Sequence, residues 1–402
     1  MRRWVVLLLF FLGTAWLWHP GIASPAFQVT PDPVEYTFGG QITLRASLDT
    51  QIKVVAVQAF LRGSGDTETY SGPAIIQDGE VVFLHDLTSQ PLRAFSDVEY
   101  WFRISPENGE PFQSDTYTFY YEDNRFSWQT LSSGPFSVHW YEGTTEFAQS
   151  VLHAAVAGLE RAKTLLKLPL VQAVDIYVYA SGMEMQSTLR LGGLRWIAGH
   201  ADPDLGVAVV SLPPGPDQAS ETARQIPHEV MHLLLYQLTG ASYYSLPIWL
   251  KEGLASANET RPNPDYYVIL SSAVEKDTLI PMASLCQTFP QDTTVYQAYA
   301  QSDSFVRFLH QQYGQAGIQD LVNSYAAGQG CENGSQAVTG LSLSGLDQEW
   351  RETRLNDNVL GVALEALLPW SGLLLAIVLV PLVLVLTSLR KSPRPHPAGH
   401  PQ

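Results

Sequence analysis

Apolar and polar positions change their rhythm along the chain. Over residues 27–122 short runs of alternating character, QITLRASL, KVVAVQAFLR, GEVVFLHDL, VEYWFRIS and DTYTFYYE, are separated by Gly, Pro, Asp and Ser. A period of two puts apolar side chains on one face of a strand, and its repetition at this spacing predicts an all-β sandwich over 27–123. From residue 126 the rhythm differs. FSVHWYEG, AVDIYVYA and LGVAVVSLP read as strands, while TEFAQSVLHAAVAGLERAKTLLKL repeats its apolar residues at helical spacing. PIWLKEGLASAN, YAQSDSFVRFLHQQYG, AGIQDLVNSYAAG and SGLDQEWRETRL then read as helices, which makes 126–355 an α+β domain.

Two further runs are apolar without any period. The run at 4–18 follows Arg2 and Arg3 and precedes HPGIASPA, whose small residues suit cleavage near Ala23 or Ser24. It falls short of the roughly 20 residues that span a bilayer, so a secretory signal peptide is expected over 1–24. The run at 367–389, LLPWSGLLLAIVLVPLVLVLTSL, is uncharged and long enough to cross. A single transmembrane helix is expected there, with Trp370 at one interface and Pro381 tolerated within it. Arg390, Lys391 and Arg394 follow at once. Positive charge stays on the cytoplasmic side, so 390–402 is expected as a cytoplasmic tail and the body of the protein as extracytoplasmic, in a single-pass cell-membrane arrangement.

The 402 residues are 46% hydrophobic, enough for more than one core. The formal net charge of -16 leaves no basic field to hold a phosphate backbone, which argues against nucleic acid as a partner. Cys286 and Cys331 are the only cysteines. They allow one disulfide, paired or not, and are too few for a CxxC metal site, so any metal must rely on His and carboxylate ligands.

HEVMH, at 228–232, carries the candidate chemistry. Residues four apart share a helix face, so His228 and His232 can both direct a ring nitrogen to one metal ion. Glu229 lies about 100° round the helix, where a carboxylate can take a proton from a zinc-activated water. A chance HExxH is expected on the order of 0.01 times in a chain of this composition, so the match carries weight. Catalytic zinc also needs a third protein ligand. In the downstream LPIWLKEGLASANE, with Ser245 as helix cap and Pro247 in the first turn, Glu252 falls mid-helix beside Trp249, Leu250 and Leu254 and meets that need. Pro227 precedes His228, and a proline inside a helix is costly, so the zinc helix is expected to begin or kink there.

HEVMH together with WLKEGLA resembles the gluzincin metallopeptidases, specifically the peptidase MA-like family, over about 126–355; the helix AYAQSDSFVRFLHQQYG is similar to one in that family. The resemblance implies a zincin fold, Zn2+ as cofactor, His228, His232 and Glu252 as zinc ligands, Glu229 as general base, and a peptide or protein substrate. It also implies an oxyanion-stabilising phenol or imidazole, with Tyr299 the first candidate and Tyr296 the second. In gluzincins an edge strand along the zinc helix binds extended peptides, and 207–212 is expected to be that strand. Two features depart from relatives. SGMEM at 181–185 only partly matches the amine-holding GxMEN of zinc aminopeptidases, so aminopeptidase activity does not carry over. Thermolysin-like enzymes place Asp four residues after the ligand glutamate, where Ser256 stands here.

The expected function is a membrane-anchored, outward-facing zinc metallopeptidase. The rival readings are a catalytically inactive zincin-fold scaffold that binds through its β-sandwich, and a zinc hydrolase for a non-peptide substrate. NET at Asn258 and NGS at Asn333 are glycosylation acceptors if the host has that pathway. His200 and His310 receive no role, and oligomeric state is undetermined.

Overall fold

The computed structural model describes residues 27–50, 52–189 and 199–355, and the chain divides into two compact units, Met1–Phe126 and Ser127–Gln402. Alternation in the sequence becomes alternation in burial in the first unit. Its strands are β1 (Phe27–Pro31), β2 (Glu35–Tyr36), β3 (Gln41–Thr50), β4 (Val54–Gly63), β5 (Tyr70–Gln77), β6 (Glu80–Asp86), β7 (Ser96–Pro106), β8 (Phe112–Gln113) and β9 (Tyr117–Tyr121). Val98, Tyr100, Phe102 and Ile104 of β7 are buried with Ile42, Leu44 and Ala46 of β3. The strands form one hydrogen-bonded path, β1-β3-β6-β5-β4-β7-β8, with β2 on β3 and β9 on β7. The path is continuous through β5, which pairs with β4 over Tyr70 to Ala74 and with β6 over Ile75 to Gln77. A strand that changes partner along its length closes such a corner without leaving its amides unpaired.

The second unit is built on a five-stranded sheet of order β10-β11-β12-β14-β13, from β10 (Gln129–Ser133), β11 (Phe136–Trp140), β12 (Val174–Tyr179), β13 (Gly199–Asp202) and β14 (Val207–Ser211). Parallel pairing of β11, β12 and β14 requires crossovers, and α1 (Thr145–Leu165) supplies the one between β11 and β12. Its N-terminus is set by Thr144, whose hydroxyl accepts from the amide of Phe147. After β12 come α2 (Gly182–Leu189), α3 (Gln218–Thr239), α4 (Ile248–Asn258), α5 (Pro264–Glu275), α6 (Val295–Ala326), α7 (Cys331–Thr339) and α8 (Leu343–Trp350). The two helices expected over 299–328 meet inside α6 at Gly314, whose backbone is left-handed at φ 65°.

The apolar face of α4 fixes the helix that carries Glu252. Trp249 is fully buried, with its ring 5.1 Å from that of Phe305 on α6, and Leu250 and Leu254 are equally enclosed. Ser245 does not cap α4, as the sequence suggested; Pro247 occupies the cap position, and the first helical amide, Ile248 N, donates to the carbonyl of Cys286 at 2.8 Å. Cys286 is itself disulfide-bonded to Cys331 at the start of α7. Among the described residues no helix is long and apolar enough to cross a membrane. The expected signal peptide at 1–24, transmembrane helix at 367–389 and cytoplasmic tail at 390–402 lie outside the described residues.

Candidate metal centre

The helix that carries HEVMH does not begin at Pro227. It starts at Gln218 and runs through the proline to Thr239. A proline there removes an amide and leaves the carbonyl of Ala223, four residues back, without its helical donor. Thr260, just beyond α4, replaces that donor twice, through its amide at 3.1 Å and its hydroxyl at 2.7 Å. Asn258 Nδ2 donates to the carbonyl of Pro227 itself at 2.8 Å. On the other side α1 presses on the ring at Gly158, where a Cβ would come within 2.9 Å of both Pro227 Cα and Cβ. The cost of a proline in mid-helix, about 3 kcal/mol or more, is therefore offset by partners from two other helices.

One turn of this helix and one turn of α4 converge. His228 Nε2 and His232 Nε2 each lie 3.6 Å from Glu252 Oε2, and the donor atoms of the three residues all fall within 4.8 Å of one another. Ligand bonds of about 2.0–2.1 Å at a tetrahedral centre place donor atoms about 3.4 Å apart, so the observed spacing suits zinc. Two imidazoles and a carboxylate are also the donor set zinc favours, and they leave one position open. Carboxylates dominate the electrostatics. Burial would lower the pKa of His228, but hydrogen bonds with Glu252 and Glu259 overcome it and push the imidazole up to about 10. Burial pulls the Glu252 carboxyl upward, and the two histidines hold it far below the ordinary carboxylate range instead.

The outer nitrogens of both imidazoles are also engaged. His228 Nδ1 lies 3.2 Å from Glu259 Oε1, and His232 Nδ1 lies 3.1 Å from the Tyr243 phenol. Were a metal held at Nε2, Nδ1 would carry the proton and donate to these partners, which would fix tautomer and ring orientation. Tyr243 is buried, its pKa raised by burial and then by the charge of Glu252, and Lys251 Nζ lies 4.9 Å from the centre of its ring. Glu259 is 2% exposed, and burial raises its pKa. The end of α4 that carries it is held by cations on its terminal carbonyls: Arg161 donates to Ala257 O at 2.8 Å and Arg307 to Ser256 O at 3.4 Å.

Glu229 faces the edge of the sheet. A Cβ on Gly199 would lie 2.4 Å from Glu229 Oε1, so only glycine permits this approach. Among the described residues the edge strand is β13, at Gly199–Asp202, and not 207–212. β14 at Val207–Ser211 is paired on both sides, with β12 and β13, and buried at every residue. An open cleft of about 620 Å³ lies beside the site, lined by Gly199, His228, Glu229, Tyr266, Tyr299 and Tyr296 among others. The Tyr299 ring is 6.4 Å from that of His228 and packs on Phe289. Its pKa is raised well above the ordinary phenol value, first by the Glu252 charge and then by burial, so the hydroxyl is a proton donor at neutral pH. Tyr296 is 46% exposed at the mouth.

The structure thus brings His228, His232, Glu252, Glu229 and Tyr299 together and puts His310 elsewhere, against the Thr164 carbonyl of α1. His200 lies on the edge strand, 3.6 Å from Asp202. Sequence reasoning missed Glu259 and Tyr243. It looked for a histidine-orienting acid at Ser256, whereas the acid stands three residues later, at an i,i+7 spacing from Glu252 that returns to the same helix face. The NET sequon has no glycan role in the folded chain. Asn258 is fully buried, and Asn258, Glu259 and Thr260 in turn hold Pro227, His228 and the Ala223 carbonyl.

A family model described as Peptidase MA superfamily matches residues 154–356, just over half of the 402-residue chain. No curated protein matches the chain. Among solved structures it is similar to an aminopeptidase N family protein from Idiomarina loihiensis, at 11% identity and TM-score 0.32, over 81% of this chain and 70% of that one. It is also similar to a point mutant of an M1 zinc metallopeptidase from Deinococcus radiodurans, at 9% identity and TM-score 0.37, over 82% of this chain and 94% of that one.

Proposed function

Since the chain belongs to the Peptidase MA superfamily, we propose that it is a zinc metallopeptidase of the gluzincin type, with His228, His232 and Glu252 as ligands and Glu229 as general base and acid. The observation that carries this reading is the convergence of His228 Nε2, His232 Nε2 and Glu252 Oε2, with Glu229 beside them on the cleft wall. Zinc bound there supplies a Lewis acid that polarises the scissile carbonyl and acidifies the attacking water. Glu229 accepts a proton from that water and returns it to the departing amine, so no covalent enzyme intermediate is required. The Tyr299 phenol donates to the developing oxyanion. Gly199–Asp202, at the end of the strand order in the described sheet, pairs with an extended peptide. Glu259 and Tyr243 hold the two imidazoles in register.

Placement completes the proposal: an exported body, led by a signal peptide at 1–24 and anchored by 367–389, with its substrate on the outer side. This part rests on the sequence alone. The chemistry is tested by Glu229→Gln, which should keep its zinc and lose hydrolysis of a mixed peptide library by about a thousandfold or more. Equal activity in that variant would remove Glu229 from the mechanism.

A further inference from the structure

The stretch between α5 and α6 has little regular structure, with one 3-10 turn at Met282–Leu285, yet it meets the metal centre at two points. The carbonyl of Cys286 accepts the first amide of α4, Ile248 N, at 2.8 Å, and no side chain caps that helix. An amide at a helix start needs such a partner, and this one lies one turn before Glu252. Just beyond Cys286, the Phe289 ring packs 5.4 Å from that of Tyr299. One short segment thus bears on a metal ligand and on the phenol of the cleft.

Its upstream half is held by ordinary contacts. Ile280 N donates to Gln301 Oε1 at 2.9 Å, and the Ile280 carbonyl accepts from Gln301 Nε2 at 2.8 Å and from Arg351 at 3.0 Å. Met282 N donates to Asp347 at 3.1 Å, and Met282 and Leu285 are buried. At Cys286 the hold becomes covalent, through the disulfide to Cys331, the first residue of α7. That end is firm: the Tyr325 phenol of α6 donates to the Cys331 carbonyl at 2.9 Å, and the buried Tyr325 ring stands 6.2 Å from that of Trp249 on α4. The disulfide therefore lies between a fixed base and the two contacts that the site uses. Cys286 is buried, whereas Cys331 is half-buried, so a reductant meets the Cys331 sulfur first.

We infer that the Cys286–Cys331 bond is a redox-operated clamp on the metal centre. Closed, it holds the α4 cap and the Phe289–Tyr299 contact in place; opened by a dithiol, it releases both while the rest of the fold stands. A thiolate of the dithiol attacks Cys331 Sγ, the S–S bond breaks, and Cys286 leaves as a thiolate that takes up a proton. The second thiol of the reductant then displaces Cys331, which is released as a thiol, and closes the reductant's own disulfide. Two electrons pass from the dithiol to the cysteine pair. The consequence of release for zinc rests on the metallopeptidase reading; the release itself does not.

Two measurements on the full-length chain separate these levels. Hydrogen exchange followed by mass spectrometry, on metal-free protein, reports the amides of Ile248 and the first turn of α4, and competition with a chelator reports zinc affinity. The forms compared are the oxidised chain, the chain reduced with dithiothreitol and freed of it by anaerobic gel filtration, and the double variant Cys286→Ser, Cys331→Ser, which has no thiols to bind zinc themselves. In the reduced chain and in the double variant the first turn of α4 should exchange faster and zinc should bind about 10- to 100-fold more weakly, with helix content by circular dichroism unchanged. Reoxidation of the reduced chain should restore both values. Unchanged exchange, or faster exchange with unchanged zinc affinity, overturns the clamp. Loss of the whole fold on reduction also overturns it, since the bond is then a staple of the domain. An oxidised chain that takes up no zinc overturns the metallopeptidase reading, and exchange alone then decides the clamp.

Discussion

In the β unit the cross-strand charge pairs lie in solvent, and the one enclosed acid among the described residues, Asp123, is neutralised locally by Arg125 at 2.6 Å. Arg62 and Glu99 pair across β4 and β7 at 2.6 Å with side chains 45% and 40% exposed, and Lys53 pairs with Glu107 at 72% and 49%. Pairs of this kind contribute about 0–1 kcal/mol each; the unit is held by the apolar alternate positions of its strands. In the unit that carries HEVMH, polar groups are enclosed: Glu229, His232, Asn258 and Glu259 are all below 9% exposed. Buried carboxylates oppose folding unless something favours their charge. Their concentration where α3 meets α4 is what a metal and its supporting groups explain, and no comparable cluster of metal-ligating residues occurs in the described part of the β unit.

The sharpest way to probe that contrast is to disturb the enclosed region without removing a charge. Gly199→Ala forces a methyl against Glu229 Oε1, and kcat should fall by about a hundredfold while zinc content is unchanged; full activity would show that Glu229 has room to move. Tyr243→Phe deletes the partner of His232 Nδ1 and should weaken zinc affinity by about 10- to 100-fold, measured by competition with a chelator of known strength. Asn258→Ala leaves the Pro227 carbonyl without its donor and should lower unfolding stability by about 1–3 kcal/mol. Arg62→Ala, in the β unit, should cost no more than about 0.5–1 kcal/mol. Denaturant melts of these last two variants test the comparison directly, and equal losses would erase it.

What the sequence disclosed follows the range of the forces involved. His228 and His232 are four residues apart on one helix, a local relation, and Glu252 stands out because it interrupts an apolar helix face. The edge strand was misassigned although a signal existed. VAVVS is an unbroken apolar run, the mark of a strand paired and covered on all sides, whereas GHAD is short, polar and half-buried throughout. Pro227 was read as a helix breaker because its compensation comes from Thr260 and Asn258, more than 30 residues away on another element. Tyr243 had no such local mark. Its phenol meets His232 only because the short 3-10 turn Gly240–Ser245 doubles back on α3.

The account's central claim is the three-residue zinc site, and the most direct measurement is zinc per chain by elemental analysis of the full-length protein, beside its Glu252→Ala variant. The account predicts about one zinc per wild-type chain and its loss from a variant that still folds. A folded wild type that takes up no zinc, or a Glu252→Ala protein that keeps it at unchanged affinity, would contradict it.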